Sequence, residues 1–258
     1  KASLEGVAIG SNAGTLTGIY SVSVGKEAGA VSQSGNAVAI GRLTGQSNQE
    51  SNAVAIGCRA GNSGQKRAAV AIGDGAGEST QGSFSVAIGV NSGKDNQKIR
   101  SVAIGPGAGE SGQNAYSVAI GNNSGYQGQY ANSVAIGNSS GHLGQNTTSI
   151  AMGFESGYQG QYANSIAIGH KAAKYNQESN AVAIGCRAGQ STQGSESVAI
   201  GPEAGLADQG RWAVAIGTQA GKTGQNAFSV AIGASAGFAT QGSYAVAMGG
   251  NAGQAGQG

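Results

Sequence analysis

The sequence predicts an all-β protein, a parallel β-solenoid (β-roll) of about sixteen coils in which each coil is one repeat of period 16. Three observations support this: a Val-Ala-Ile-Gly motif recurs along the whole chain, its spacing is nearly constant, and glycine recurs at fixed places in every unit. The motif first begins at Val7, and the later copies keep a constant step of 16, apart from a first step of 15. Repetition at a fixed period of this size is the signature of a repeat architecture such as a solenoid.

The motif itself predicts the first strand of each coil. We number each repeat from the first residue of the motif, position 1, to position 16. Position 1 is Val or Ile, position 3 is Ile, Val or Met, position 2 is Ala or Ser, and position 4 is always Gly. In a strand, positions 1 and 3 share one face and positions 16 and 2 share the other. A helix is disfavoured because Gly recurs within each unit and positions 1 and 3 do not share a helical face.

The remainder of each repeat predicts turns and a second extended segment. Gly at position 4 ends the first strand, and turn-forming residues occupy positions 8 to 11. The second extended segment is predicted at positions 12 to 14. Position 12 is Gln in every repeat except the first, and stacked coils would align these amides in a hydrogen-bonded ladder. The predicted glutamine ladder includes Gln65, Gln113, Gln145 and Gln193.

The large β-branched side chains at positions 1 and 3 are predicted to form the solenoid core, since burial of apolar side chains drives folding. The predicted core ladder includes Val54, Ile56, Val118, Ile120, Val182 and Ile184. The small residues at positions 2 and 16 then form a flat outer face, which predicts close packing against another copy of the chain. A plain water-exposed surface and an ice-binding face are the alternatives for this face. The predicted assembly face includes Ala55, Ala103, Ala119, Ala135 and Ala183.

The strings NSVAIG at Asn132 and NSIAIG at Asn164, with Ala or Ser three residues after the Gly, resemble the head repeats of trimeric autotransporter adhesins. Similar repeats occur in viral and phage fibre proteins. The resemblance covers residues 7–258 and implies a left-handed β-roll, a homotrimer and a fibre exposed on a cell, in a matrix or on a virion. The chain departs from the family in its longer, stricter coil and in its row of glutamines.

Composition excludes several classes of function. A net charge of +2 without a concentrated basic face argues against nucleic-acid binding. No run of 18 apolar residues occurs, so membrane insertion is not expected. We find no nucleophile, base and orienting group together, so neither an enzyme nor a cofactor is predicted. The string GDGAGE from Gly73 occupies ordinary repeat positions, and we interpret it as a turn.

Cysteine and histidine do not form a predicted site. Cys58 and Cys186 both lie at position 5, eight coils and roughly 38 Å apart, given a strand spacing of about 4.8 Å. A disulfide within the chain is excluded at that distance. His142 and His170 lie at different repeat positions, so no metal cluster is predicted.

The variable turns supply the candidate ligand-binding residues. A basic group on three neighbouring coils, which also includes Lys66 and Arg67, could bind acidic glycans, and the repeated string GYQGQY could offer tyrosines for stacking on sugars. Solvated turn charges and simple duplication are the alternatives. The candidate ligand-facing residues are Tyr126, Tyr130, Tyr158, Tyr162, Lys94, Lys98 and Arg100.

These features predict an extracellular or surface-exposed structural fibre that adheres to a cell surface, matrix or glycan and assembles with itself. An ice-binding solenoid is the alternative, although threonine is scattered and forms no row. Residues 1–258 are predicted to be one repeat domain within a longer fibre. Lys1 to Gly6 resemble the tail of a preceding coil, and Val246, Met248 and Gln257 belong to a regular last coil, so neither end resembles a polar cap.

Overall fold

The computed structural model describes residues 5–257. These residues form β-strands and turns without a helix, which confirms the prediction of an all-β parallel β-solenoid, here with about 15 turns. The chain divides into two compact units, Lys1–Asn132 and Ser133–Gly258. The expectations for residues 1–4 and for residue 258 lie outside the described part of the chain.

The first unit has one parallel sheet, built from positions 1 to 3 of each repeat. Each strand pairs in register with the next, so that Val54 lies beside Val70 and Ala55 beside Ala71. The opposite wall is held by single parallel bridges, such as Ser47 to Ser63. The strands are β1 (Val7–Ile9), β2 (Val22–Val24), β3 (Val38–Ile40), β4 (Val54–Ile56), β5 (Val70–Ile72), β6 (Val86–Ile88), β7 (Val102–Ile104) and β8 (Val118–Ile120).

The second unit has two parallel sheets. Its odd-numbered strands contain the motif, and its even-numbered strands cover positions 10 to 12, so the second extended segment ends at the glutamine rather than beginning there. The strands are β9 (Val134–Ile136), β10 (Leu143–Gln145), β11 (Ile150–Met152), β12 (Gln159–Gln161), β13 (Ile166–Ile168), β14 (Tyr175–Gln177), β15 (Val182–Ile184), β16 (Ser191–Gln193), β17 (Val198–Ile200), β18 (Ala207–Gln209), β19 (Val214–Ile216), β20 (Thr223–Gln225), β21 (Val230–Ile232), β22 (Ala239–Gln241), β23 (Val246–Met248) and β24 (Ala255–Gln257).

The interior of each coil consists of small side chains and one glutamine. Alanine at position 2, serine or alanine at positions 7 and 16, and glutamine at position 12 are buried in nearly every repeat. The largest fully buried side chains are all glutamines. Alanine contributes little apolar area, so the interior depends on close packing and on hydrogen bonds.

The predicted orientation of the first strand is wrong. Alanine occupies the interior, and the β-branched residues on either side of it point outward. The outward side chains, half-buried or exposed, include the predicted core ladder of Val54, Ile56, Val118, Ile120, Val182 and Ile184. The fully buried residues include the predicted assembly face of Ala55, Ala103, Ala119, Ala135 and Ala183, which therefore cannot contact another copy.

The narrow interior explains this orientation. A Cβ atom built on Gly141 would lie 3.1 Å from the Cβ of Ala135 on the facing wall. Beside the buried glutamine, walls this close leave room at position 2 for a methyl group but not for a branched side chain, because protein interiors are already close-packed. The residues at position 2 are therefore small because they face a crowded interior, and Val or Ile fits only on the outside.

Glycine at positions 4 and 8 is favoured by close approach, although Ala173 takes its place at position 8 of one repeat. Gly57 has a φ of 126°, and a Cβ atom there would lie 2.6 Å from the carbonyl oxygen of Gly73 in the next coil. Gly61 has a φ of 52°, and a Cβ atom there would lie 2.8 Å from Cδ of Gln65. Both positions favour glycine for its left-handed conformation and for its missing side chain. Position 8 thereby makes room for the buried glutamine.

Candidate functional site

The glutamine ladder is an internal structural element. Gln113 donates from Nε2 to the carbonyl of Val102 at 2.8 Å and to Oε1 of Gln129 at 3.1 Å. Its own Oε1 accepts from Nε2 of Gln97 at 3.0 Å. Gln65 and Gln193 are likewise buried within such a ladder, and buried Gln145 donates to a strand carbonyl. Because these polar atoms are paired within the coil stack, the row holds coils together and is not a surface for ligands.

The surface of the motif sheet is apolar and regular. We call the outward side chains at positions 1 and 3 the β-face, carried by β1–β8 in the first unit and by odd-numbered β9–β23 in the second. Ile40 is 38% exposed, and Ile200 is 37% exposed. Neither position carries a charged residue in any repeat. Large contiguous apolar surfaces are typical of interaction sites in proteins.

Position 15 carries a row of exposed rings that stack on one another. Phe228 lies between Trp212 and Tyr244, with ring centroids 4.6 Å and 4.9 Å away. In the first unit, the guanidinium of Arg100 lies 5.9 Å from the ring centre of Phe84 and 5.8 Å from that of Tyr116. Stacking between neighbouring coils covers the ring faces and leaves mainly their edges exposed. These rows therefore stabilise the turns rather than offering flat platforms for ligands.

The candidate ligand residues do not form one site. Tyr158 stacks on His142 with a centroid distance of 4.9 Å, and the ammonium of Lys174 lies 5.5 Å from the Tyr158 ring centre. Lys94, Lys98 and Arg100 occupy repeat positions 9, 13 and 15, which are separate rows of the turns. Tyr126 is half-buried, whereas Tyr130 and Tyr162 are exposed. Of the predicted residues, Tyr162 lines a surface groove.

Some of the charges on the turns are paired within their own unit. Glu155 accepts from the ammonium of Lys174 at 2.8 Å, and this hydrogen bond raises the pKa of Lys174. Glu203 pairs with Lys222 at 2.9 Å and with Arg187. Exposed pairs of this kind contribute little to stability. They neutralise part of the turn charge, but among the described residues no ion pair includes the candidate ligand residues Lys94, Lys98 and Arg100.

The two cysteines are free and have polar neighbours. Nη2 of Arg42 lies 3.4 Å from Sγ of Cys58, and Nδ1 of His170 lies 3.8 Å from Sγ of Cys186. Within residues 5–257, no three His, Cys, Asp or Glu side chains are grouped in a way that could hold a metal ion. The same residues include no helix long and apolar enough to cross a membrane.

Two polar grooves were missed by the sequence analysis. They flank Glu50 and Glu178, which both occupy position 13 of their repeats. A signal was present in the sequence: the string NQESNAVAIGCRAG begins at Asn48 and again at Asn176. The duplicated string therefore extends through the turn that lines each groove.

Comparison with protein-family models, with curated proteins and with solved structures found no match. The resemblance to adhesin head repeats therefore stays a prediction from the sequence motif.

Proposed function

We propose that this chain is a structural, adhesive fibre segment that assembles with copies of itself through the β-face and presents its turns to a partner. The observation that carries the proposal is the β-face itself, with half-buried or exposed Val and Ile in register over successive strands. Leaving such a surface in water is unfavourable, at about 25 cal/mol for each Å² of apolar area. Assembly that covers the β-face would remove this cost.

A second copy of the chain is the best-matched occupant of the β-face. Neighbouring strands are spaced by about 4.8 Å, so the β-face repeats with that period. A partner that fits every row must have the same period, and another solenoid of this sequence has it. Branched side chains from two such faces can interdigitate as in steric zippers. The resemblance to adhesin heads favours three left-handed coils closed around a common axis, which covers the face in each copy.

The turns then provide the adhesive surface. Positions 5, 9, 13 and 15 vary between repeats and carry aromatic, basic and acidic residues, whereas the interior positions remain nearly constant. Variable loops on a rigid scaffold are where binding residues concentrate. We place the chain outside the cell or on a virion surface, with a host-surface protein or glycan as its partner.

Ice binding is the second candidate, and the regular spacing of the β-face is the observation that favours it. The alanine rows first considered as an ice face are buried, so this role would require the Val and Ile rows. Those rows contain no hydroxyl group. An assembled β-face would also be inaccessible to ice, so the two functions exclude each other on this surface.

Light scattering of the purified chain tests the proposal. We expect a mass of two or more times the single-chain mass, and three times for a trimer. We also expect no thermal hysteresis. A single-chain mass at micromolar concentration, with strand structure intact by circular dichroism, would contradict assembly. Thermal hysteresis from single chains would support the ice-binding alternative instead.

A further inference from the structure

The groove beside Glu178 is open, has the size of a small-molecule site, and is lined by polar side chains and one aromatic ring. It encloses about 490 Å³, within the range of about 300–1,000 Å³ that is typical of such sites. Three consecutive coils contribute to it. Its lining residues are Tyr162, Asn176, Glu178, Ser179, Thr192 and Ser195.

The carboxylate of Glu178 is held in place without a cation. Its Oε2 accepts from the backbone N–H of Ser195 at 3.1 Å and from the Ser195 hydroxyl at 2.6 Å. No ion pair of Glu178 occurs among the described residues. Two hydrogen bonds thus orient the carboxylate and leave acceptor capacity for a ligand, since a carboxylate offers about four lone-pair sites.

The first unit contains a natural comparison. Glu50 occupies the matching position, and its Oε2 accepts from the backbone N–H of Arg67 at 3.0 Å. Its other oxygen, however, pairs with the ammonium of Lys66 at 3.0 Å. The residue that corresponds to Lys66 in the second unit is Gly194. The two grooves share a string of sequence, but only the carboxylate of Glu178 lacks a paired lysine.

An aromatic ring also distinguishes the second groove. Tyr162 lines it and is 51% exposed, whereas the corresponding residue in the first groove is Ser34. Within the described part of the chain, no ring or cation stacks on Tyr162, in contrast to Tyr158 and Phe228. Tyr162 therefore contributes a partly exposed ring to the groove beside the oriented carboxylate.

We infer that this groove binds an uncharged saccharide. The C–H face of a sugar ring packs on an aromatic ring, and neighbouring hydroxyls donate to one carboxylate as a pair, which Tyr162 and Glu178 can provide together. Asn176 and Thr192 supply further donors and acceptors. The unpaired carboxylate disfavours acidic sugars by repulsion. The inference rests on the proposed adhesive function and names its ligand class.

Calorimetric titration of the full chain with cellohexaose and with chitohexaose tests this site. We expect at least one of them to bind and a hexagalacturonate not to bind. Tyr162→Ala and Glu178→Gln should each lower the association constant about tenfold or more, a change of roughly 1.4 kcal/mol. Tyr162→Phe, which keeps the ring, should retain most of the binding.

Two matched controls separate this groove from its repeats. Tyr130→Ala removes a tyrosine from the other copy of GYQGQY, where Asn146 rather than a glutamate occupies position 13 of the following repeat. Glu50→Gln changes the lysine-paired carboxylate. Both variants should bind like the wild type, and all variants should melt like it, because these side chains are not buried.

The inference is overturned if neither neutral oligosaccharide binds at millimolar concentration. It is equally overturned if Tyr162→Ala and Glu178→Gln bind like the wild type, or if Tyr130→Ala loses binding to the same extent. Failure of the assembly proposal is distinguishable, since single chains that bind saccharide would contradict assembly only. Assemblies that bind neither oligosaccharide would contradict the groove only.

Discussion

At the scale of the residue, this fold depends on buried side chains that fit the narrow interior of each coil. The wall that faces Ala119 is very near: a Cβ atom built on Gly125 would lie 3.2 Å from the Cβ of Ala119. Gln113 is large and polar but fully buried, and its amide is paired on both sides. A buried polar group is tolerated when its hydrogen bonds are satisfied, and removing one partner leaves another unpaired.

Replacing Ala119 with Leu should destabilise the first unit, because three additional carbons must fit between walls already in contact. Overpacking of this kind costs about 1–3 kcal/mol. Ile120→Leu is the matched control on the same strand, since Ile120 points outward, and its effect should be within about 0.5 kcal/mol. Thermal unfolding followed by circular dichroism measures both. Equal losses of stability in the two variants would contradict the inward orientation of alanine.

Replacing Gln113 with Glu should make stability depend on pH. Burial without a cation raises the pKa of the new carboxyl above its unfolded value of about 4.3. The neutral acid can still donate one hydrogen bond, so stability should be near the wild-type value below about pH 4. It should fall by about 1.4 kcal/mol for each pH unit above that, until the folded pKa is reached.

Unfolding midpoints measured between pH 3 and pH 8 test this expectation. Gln127→Glu is the control, because Gln127 is exposed at position 10 of its repeat. The pKa of the new carboxyl there should therefore stay close to its unfolded value. A difference between Gln113→Glu and the wild type that does not change with pH would contradict the buried ladder.

At the scale of the element, the short strands and the period could be predicted from the sequence, but the direction of the strand faces could not. Alternation shows that Ala55 and Val54 lie on opposite faces, and it does not say which face is inside. The usual preference for burying large apolar residues suggested Val54. The preference failed because each coil is too thin to contain branched side chains. Restriction of positions 2, 7, 8 and 16 to small residues was the available signal.

The turn rows show the same limit on prediction. The row of rings at position 15 follows directly from the period, since Trp212, Phe228 and Tyr244 occupy the same position of three successive repeats. The groove beside Glu178 does not follow from the period, because it requires a tyrosine, a glutamate and the absence of a lysine in particular coils. Such combinations depend on residues that differ between repeats, and the period alone does not predict them.

Phe228→Ala should loosen the position 15 row and cost about 0.5–1.5 kcal/mol through the lost ring stacking. Trp212 is the single tryptophan of the chain, so its fluorescence reports on this row. We expect the emission to shift to longer wavelength as one face of the indole becomes exposed to water. Phe238→Ala, in the row at position 9, is the control and should leave the emission unchanged. An unchanged emission in Phe228→Ala would contradict the stack.

At the scale of the whole molecule, both units place small residues and glutamine inside and a branched apolar surface outside. Each unit therefore has a small, polar interior and exposes a regular β-face, and in the second unit the buried Oε1 atoms of Gln161 and Gln209 lack a hydrogen-bond partner among residues 5–257. Because proteins are only marginally stable, the exposed face matters for the state of the chain in solution. Covering it with further copies would add the apolar burial that alanine cannot supply.

Sedimentation equilibrium of a β-face variant tests this account most directly. The variant carries four outward substitutions, two in each unit, namely Ile72→Lys, Ile104→Lys, Ile168→Lys and Ile200→Lys. A control adds the same charge at exposed position 10 of the opposite wall, by Ser63→Lys, Ser111→Lys, Gln159→Lys and Thr223→Lys. We predict that the wild type and the control sediment as the same assembly, whereas the β-face variant sediments as a folded single chain. A β-face variant that keeps the assembled mass, or a wild type that is itself a single chain, would contradict the account.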